Sequence, residues 1–529
     1  MSKEKPVIEI QGKALLKEEN PSYLGVLLDP KLTLSDQMKK VETKAKNRLK
    51  LVKKLASTSW GADKSTLRQL YLGYVRSTMD YSLALQSICS KSTQTSVDRV
   101  QNNALRFISG AMKSTPTAAC EVHTNVEPLN IRREAAVMET IERIKRQEPE
   151  HPNKKIVDSY KPVQRIQKKS ILSVSDKIKD NYNLPNDREP IVLFNANNNP
   201  SKKMMLPTVK DQMIKSVTKK DEPAVLLKTA LATIDTYPDE WIKIYTDGSA
   251  TDGTTNAGYG SYVQLSDGTK EELYSSCGKH CSNYEAEATA IIESLNFVSN
   301  LFEQNSNTIT NIVILSDAKS VLQALDNETT KDPVIKKLAL TISEIIATHS
   351  IQVSLQWIPG HCNIKGNDEA DRLAKLGAKC TQDKESATYG TAKQIIRQKK
   401  KEIWMRQWAD SDKGRCIYAF MPTPDKKDYI NQVKRDVQVT IFRLRSQHIQ
   451  LNQHLNKIGI KPDAQCPLCR CPEESVAHHL FECTALDDLR VSLLPERPNL
   501  TNTIYGTPEQ LALTHKYHVM AQRRRASAQ

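Results

Sequence analysis

The sequence predicts an α/β fold at its centre: a mixed five-stranded sheet, three antiparallel strands and then parallel ones, with helices on its faces. Helical regions and a small Cys/His segment flank it. Three observations carry this. Alternating apolar and polar residues mark Trp241–Asp247 and Ile351–Trp357 as strands, and Asn311–Leu315 (NIVIL) is the unbroken apolar run of a strand covered on both faces. Segments of helical periodicity separate them, giving the order βββαβααβα, which specifies a sheet with helices packed against it.

Each element has a local reason. Trp241–Asp247 (WIKIYTD) alternates and stops at Gly248. Ala257–Leu265 and Glu272–Gly278 are joined by the turn Ser266-Asp267-Gly268, as in an antiparallel meander. A helix starts at about Asn283, where Ser282 or Asn283 can cap it, and turns Ala286, Ala290, Ile291 and Leu295 inward. Further helices are expected over Ala318–Leu325, Pro333–Thr348 and from about Asp368.

The flanks differ in character. The chain has 529 residues, more than one ordinary domain, with 39% hydrophobic and 5% aromatic residues, so a continuous core throughout is not expected. Residues 1–148 read as a basic helical region entered by a short buried strand, Tyr23–Asp29. Lys44, Lys46, Arg48, Lys50, Lys53 and Lys54 there interleave with Leu49, Leu51, Val52 and Leu55. Residues 149–235 are rich in Lys, Asn, Asp and Pro, as in Asn195–Pro200, and read as a polar tether with short structured pieces. The sheet domain is assigned to 236–380, a basic helical region to 381–458, and a Cys/His segment with a basic tail to 459–529.

Seventy-six Lys and Arg against 61 Asp and Glu give a net charge of +15, which favours a polyanionic partner, nucleic acid before membrane. No apolar run suits a signal peptide or a membrane span, and the cysteine pattern is not that of a secreted disulfide framework. An intracellular protein of the nucleus or cytoplasm is expected.

Four acids occupy telling places: Asp247 at the end of the first strand, Glu287 in the first turns of the first helix, Asp317 at the end of the buried strand and Asp371 in the last helix. Carboxylates brought together repel, so such a group is tolerable around hard cations, Mg²⁺ or Mn²⁺. Two such ions can clamp the attacking and leaving oxygens of a phosphodiester displacement. Tyr245–Ser249 (YTDGS), Gly258 and Gly260, Asn283–Glu287 (NYEAE), Leu315–Asp317 (LSD) and Trp357–Asp371 (WIPGHCNIKGNDEAD) resemble the successive motifs of the ribonuclease H family. The resemblance implies metal-dependent hydrolysis of the RNA strand of RNA–DNA hybrids, with Asp247, Glu287, Asp317 and Asp371 as metal ligands. It also implies that His361 sits on a loop aiding product departure or proton transfer, and that Asn283 contacts a sugar. Asn363 stands where many relatives have Gly, and Asn too tolerates positive φ. No strongly basic helix falls between Asp317 and Trp357, which resembles the retroelement type. A catalytically silent nucleic-acid-binding module on the same scaffold is the alternative; relatives of that kind are expected to lose acids, and here all four remain.

Cys466-x₂-Cys469 followed by His478-x₄-Cys483 has the ligand spacing of a structural Zn²⁺ site, with His479 an alternative to His478 and Cys471 to one thiolate. It resembles the Cys/His knuckle after ribonuclease H in non-LTR retrotransposon proteins, whose reverse-transcriptase thumb or connection the N-terminal region also resembles. No strand-borne Tyr/Phe-x-Asp-Asp is present, so polymerase activity is not expected. Arg397–Lys401 and Arg523–Arg525 are candidate phosphate contacts or solvated charge.

Overall fold

The computed structural model describes residues 9–527 apart from 12, 15–17, 19, 163–168, 192–204, 218–220, 305–309, 327–331, 425 and 427. It divides into two compact units. One comprises residues 139–161 and 182–398, the other the remainder. Among the described residues no helix is long and apolar enough to cross a membrane.

The first unit holds a six-stranded sheet of β1 (Thr208–Lys210), β2 (Ile242–Thr251), β3 (Thr255–Gln264), β4 (Lys270–Gly278), β5 (Ile312–Ser316) and β6 (Val353–Trp357). The spatial order is β1-β6-β5-β2-β3-β4. β2, β3 and β4 form the antiparallel meander; β2, β5, β6 and β1 run parallel. Helices α1 (Pro223–Ile234), α2 (Asn283–Gln304), α3 (Lys319–Asp326), α4 (Pro333–His349) and α5 (Lys365–Gly377) belong to the same unit. β5 is buried at every residue, as its apolar run requires, and α2 and α4 set Ile291, Leu295, Leu338 and Ile342 against the sheet. Ser282 caps α2 by a reciprocal pair: its Oγ accepts from Glu285 N, and Glu285 Oε2 accepts from Ser282 N, both at 3.2 Å.

Two expectations are corrected here. The sheet has a sixth strand, because Thr208–Lys210 pairs in parallel with Ser354–Gln356 along the edge. The boundary at 235/236 cuts the sheet domain too short, because Met213 and, from α1, Ala230 and Ile234 lie in the same core. The Asn195–Pro200 run lies outside the described residues.

The second unit is helical. Helix Ser35–Leu55 buries Met38, Val41, Ala45, Leu49 and Val52 at helical spacing against helix Lys91–Ser109, while its lysines stay exposed. Leu51 and Leu55 are exposed, not part of the apolar stripe. Tyr23–Asp29 is not one buried strand. Ser22–Tyr23 and Val26–Leu27 form a small hairpin turned by Leu24 at φ 47° and Gly25 at φ 80°, with Tyr23 and Leu24 exposed. Downstream, a separate core draws Val437, Ile441 and Leu444 from helix Arg435–Ser446, Cys466 and Cys483, and Leu511 and Tyr517 from helix Pro508–Ser527. The boundary expected at 458/459 runs through this core, so the Cys/His segment packs as one body with helix Arg435–Ser446.

Candidate active site and metal centre

Sheet register builds the carboxylate site. Thr246 of β2 and Ser316 of β5 are partners across parallel strands, so the next residues, Asp247 and Asp317, emerge side by side. Gly248 follows, and a Cβ there would collide with the backbone nitrogen of Glu287; its absence lets α2 close on β2 and deliver that acid. One oxygen each from Asp247, Glu287 and Asp317 falls within 4.8 Å of the others.

Asp371 comes in on α5. That helix crosses β3 over Gly258 and Gly260, where added Cβ atoms would strike the backbone nitrogens of Ala378 and Ala374. Two glycines that read as family motif in the sequence are therefore the contact that seats the fourth acid. Asp371 is not in the close group of three. Its Oδ2 accepts from Lys375 Nζ at 2.6 Å, one turn along the helix, although its charge still acts on Asp247. The i,i+4 pairing of Asp371 with Lys375 was available in the sequence as a signal.

Burial, with Asp317 and Asp371 adding repulsion, pushes the Asp247 carboxyl up to about 7. Burial, with Asp247 and Asp317 adding repulsion, holds Glu287 well above the ordinary carboxylate range, and the carboxyls of Asp247 and Glu287 are hydrogen-bonded to one another. Glu287 Oε2 is buried with no hydrogen-bond partner among the described residues. Acids that must hold protons to coexist, with one oxygen unsatisfied, are a donor set that fits a hard divalent cation.

His361 is exposed and sits at φ 56°, two residues before Asn363 at φ 60°. Asn363 thus occupies the left-handed conformation that asparagine tolerates. Gly360 closes the loop onto the site: a Cβ there would collide with Asp317 Oδ2. Asn283, the first residue of α2, is exposed.

The second cluster is closed. Cys466, Cys469, His478 and Cys483 present ligand atoms all within 4.8 Å of one another, with Cys466 Sγ 3.9 Å from Cys483 Sγ and Cys469 Sγ 3.3 Å from His478 Nε2. The sequence left His478 and His479 as alternatives, and the fold separates them. His479 points its Nε2 at His518 Nδ1, 3.0 Å away, in the core. Cys471 is outside the group, and its backbone oxygen accepts from Cys466 N at 2.9 Å. Burial raises the thiols of Cys466 and Cys483, the latter to about 12, and three sulfurs and an imidazole nitrogen gathered in one place fit a cation that takes thiolate. Of the tail arginines, Arg525 is buried and pairs with Glu474 at 2.9 Å, Arg524 pairs with Asp488 at the surface, and Arg523 is exposed.

A mixed sheet whose parallel strand ends gather acids with a helix-borne glutamate defines the ribonuclease H-like class of nucleases. Comparisons agree. The RNase H family model matches residues 239–379, and the model for zinc-binding in reverse transcriptase matches 421–489. Ribonuclease H of Orientia tsutsugamushi is 29% identical over 140 residues, 26% of this chain and 81% of that protein. Ribonuclease H of Albidiferax ferrireducens is 25% identical over 140 residues, 26% and 93% respectively. The retrovirus-related Pol polyprotein from type-1 retrotransposable element R1 of Bradysia coprophila is 28% identical over 103 residues, 18% of this chain and 10% of that protein. The chain thus carries a ribonuclease H domain over residues 239–379 and a reverse-transcriptase zinc-binding segment over 421–489, and part of it is similar to a retrotransposon Pol polyprotein.

Proposed function

We propose that this chain hydrolyses the RNA strand of RNA–DNA hybrids at Asp247, Glu287, Asp317 and Asp371, with two Mg²⁺ or Mn²⁺ ions as cofactors. The observation that carries it is the convergence of three carboxylates within 4.8 Å, with Glu287 Oε2 left unsatisfied. Bound there, such ions polarise the scissile phosphate and lower the pKa of the attacking water. The chain's own part is positional. Register fixes Asp247 beside Asp317, and the glycines at 248, 258 and 260 bring two helices close enough to add Glu287 and Asp371. His361, exposed on its loop, serves departure of the product or a proton transfer, and Asn283 contacts a sugar near the scissile bond. Selection of RNA rests on 2′-hydroxyl contacts and the groove shape of the hybrid.

Zn²⁺ held by Cys466, Cys469, His478 and Cys483 is structural in this reading, because four protein ligands leave no open position for chemistry. The lysine face of helix Ser35–Leu55 supplies sequence-independent grip on phosphate.

The test is a gel assay on a hybrid with labelled RNA. Cleavage to 3′-hydroxyl and 5′-phosphate ends should require Mg²⁺, spare duplex DNA, and vanish in Asp247→Asn while hybrid binding persists. Cleavage at the wild-type rate by Asp247→Asn would remove the assignment.

A further inference from the structure

Within the helical unit a cavity of about 540 Å³ opens between helix Lys64–Leu70, the end of helix Thr117–Thr124 and the turn Tyr429–Gln432. Its lining is rich in fixed positive charge. Lys64 is only 7% exposed, and its Nζ donates to the backbone oxygen of His123 at 3.0 Å. Arg68, one turn on, donates from Nε to Thr124 O and from Nη2 to Asn125 O, both at 2.8 Å. Carbonyl contacts hold both cations in place without neutralising them, and neither has a carboxylate within ion-pair distance among the described residues. Asp428, the acid in the lining, is committed to Arg445 by two bonds of 2.6 and 2.9 Å.

His123 also lines the cavity, 3% exposed and stacked on Phe442 with ring centroids 3.9 Å apart. Burial, with Lys64, Arg445 and Arg435 adding repulsion, keeps that imidazole neutral. Burial also pushes the Lys64 ammonium down to about 8, with Arg445 and Arg68 lowering it further against the pull of Asp428. A buried cation with no carboxylate in contact costs stability unless something supplies acceptors. An anion with several oxygens serves Lys64 and Arg68 at once, and bonds of that kind are the strong ones. The space is larger than one phosphate needs and suits a small organic ligand. Tyr429, half exposed in the lining, offers a ring on which a base can stack.

We propose that this cavity binds the phosphate of a nucleotide on Lys64 and Arg68, with the base against Tyr429. The phosphate belongs either to the 5′ end of a single strand or to a free mononucleotide. The site shares no residue with the carboxylate cluster, so it stands or falls independently of the hydrolytic reading.

The test uses the full chain without Mg²⁺. Fluorescence anisotropy compares a short single-stranded DNA carrying a 3′ dye and either a 5′-phosphate or a 5′-hydroxyl, and AMP is titrated separately by calorimetry. The 5′-phosphate should tighten binding by about tenfold or more, the worth of a charge-assisted pair. Arg68→Glu should erase that preference and Arg68→Lys should keep most of it. Tyr429→Ala, an exposed change that does not threaten the fold, should weaken whichever phosphate ligand binds. AMP binding as tightly as the phosphorylated strand identifies the free nucleotide as the source; binding of the strand alone identifies its end. Equal affinity for both strands together with no AMP binding would overturn the proposal, as would an unchanged preference in folded Arg68→Glu.

Discussion

Lys375 Nζ donates to Asp371 Oδ2 at 2.6 Å, so a cation one helical turn away engages the fourth acid of the site while the other three crowd together. The pair is partly solvated, with Lys375 the more exposed partner. Such pairs contribute little to stability, about 0.2–1 kcal/mol. The larger consequence is competition, because Lys375 offers Asp371 the charge that a divalent ion would otherwise supply. Lys375→Met should therefore lower the Mg²⁺ concentration for half-maximal cleavage by up to about fivefold, the equivalent of that energy. The rate at saturating Mg²⁺ should change little. A metal titration of the cleavage rate decides, and a raised Mg²⁺ requirement would contradict the competition.

The same site makes the metal-free protein sensitive to pH in a definite direction. Burial and neighbouring acids raise Asp247 to about 7 and Glu287 well above its ordinary range. Between the ordinary carboxylate range and about 7 the folded state then binds more protons than the unfolded chain, so stability falls as pH rises through that window. Without divalent ions, Tm should decline across it, and Asp247→Asn should decline less steeply. Adding Mg²⁺ at pH 8 should recover much of the loss, because the ion takes over the role of the protons. Parallel Tm curves for the two proteins would show that this cluster does not set the slope.

Gly360 tests how closely the loop bearing His361 is fitted to the acids. An added Cβ would collide with Asp317 Oδ2, and the cheapest relief is for that carboxylate to swing aside. Gly360→Ala should then leave Tm nearly unchanged while cleavage falls by about ten- to a hundredfold, the range expected when a reacting group is displaced by about an ångström. His361→Ala should behave differently, slowing multiple turnover more than a single turnover. If the single-turnover rate fell as far as in Asp247→Asn, His361 would belong to the chemical step itself.

Much of the site was legible because it depends on chain-local signals. Asp247 and Asp317 each end a segment whose periodicity marks it as a strand, and parallel pairing does the rest. The role of Gly258 and Gly260 was not legible, since the helix that needs their missing side chains lies more than a hundred residues on. The edge strand Thr208–Lys210 escaped notice because three residues at an edge carry no periodicity, and its pairing partner is about 145 residues away. Helix Pro223–Ile234 left a better trace, with proline in its first turn and Leu226, Ala230 and Ile234 at i, i+4 and i+8. The polar composition of the surrounding segment masked it. Cys466 and Cys483 presented the opposite case: their spacing announced ligands, but nothing local showed that they lie in one core with helices Arg435–Ser446 and Pro508–Ser527.

That shared core changes what removal of zinc should do, and the adjacent histidines separate the metal's contribution from that of packing. His478 Nε2 stands 3.3 Å from Cys469 Sγ, with its Nδ1 3.9 Å from Glu482. His479 is turned the other way, bonded through Nε2 to His518 and receiving the Tyr517 hydroxyl on its backbone oxygen at 2.5 Å. His478→Ala should therefore abolish bound Zn²⁺, measured by atomic emission on purified protein. His479→Ala should retain it and instead cost about 1–3 kcal/mol, because a buried hydrogen-bonded group is lost and its partner His518 is left unsatisfied. Cys466 and Cys483 pack in the same core as Ile441, Leu480 and Tyr517, so the binding energy of the metal is folding energy for more than the loop that holds it. A zinc-selective chelator should accordingly melt helical signal from residues 430–521 as one transition, while cleavage, supplied with Mg²⁺, continues at the carboxylate site. Retention of Zn²⁺ by His478→Ala together with its loss from His479→Ala would reverse the ligand assignment.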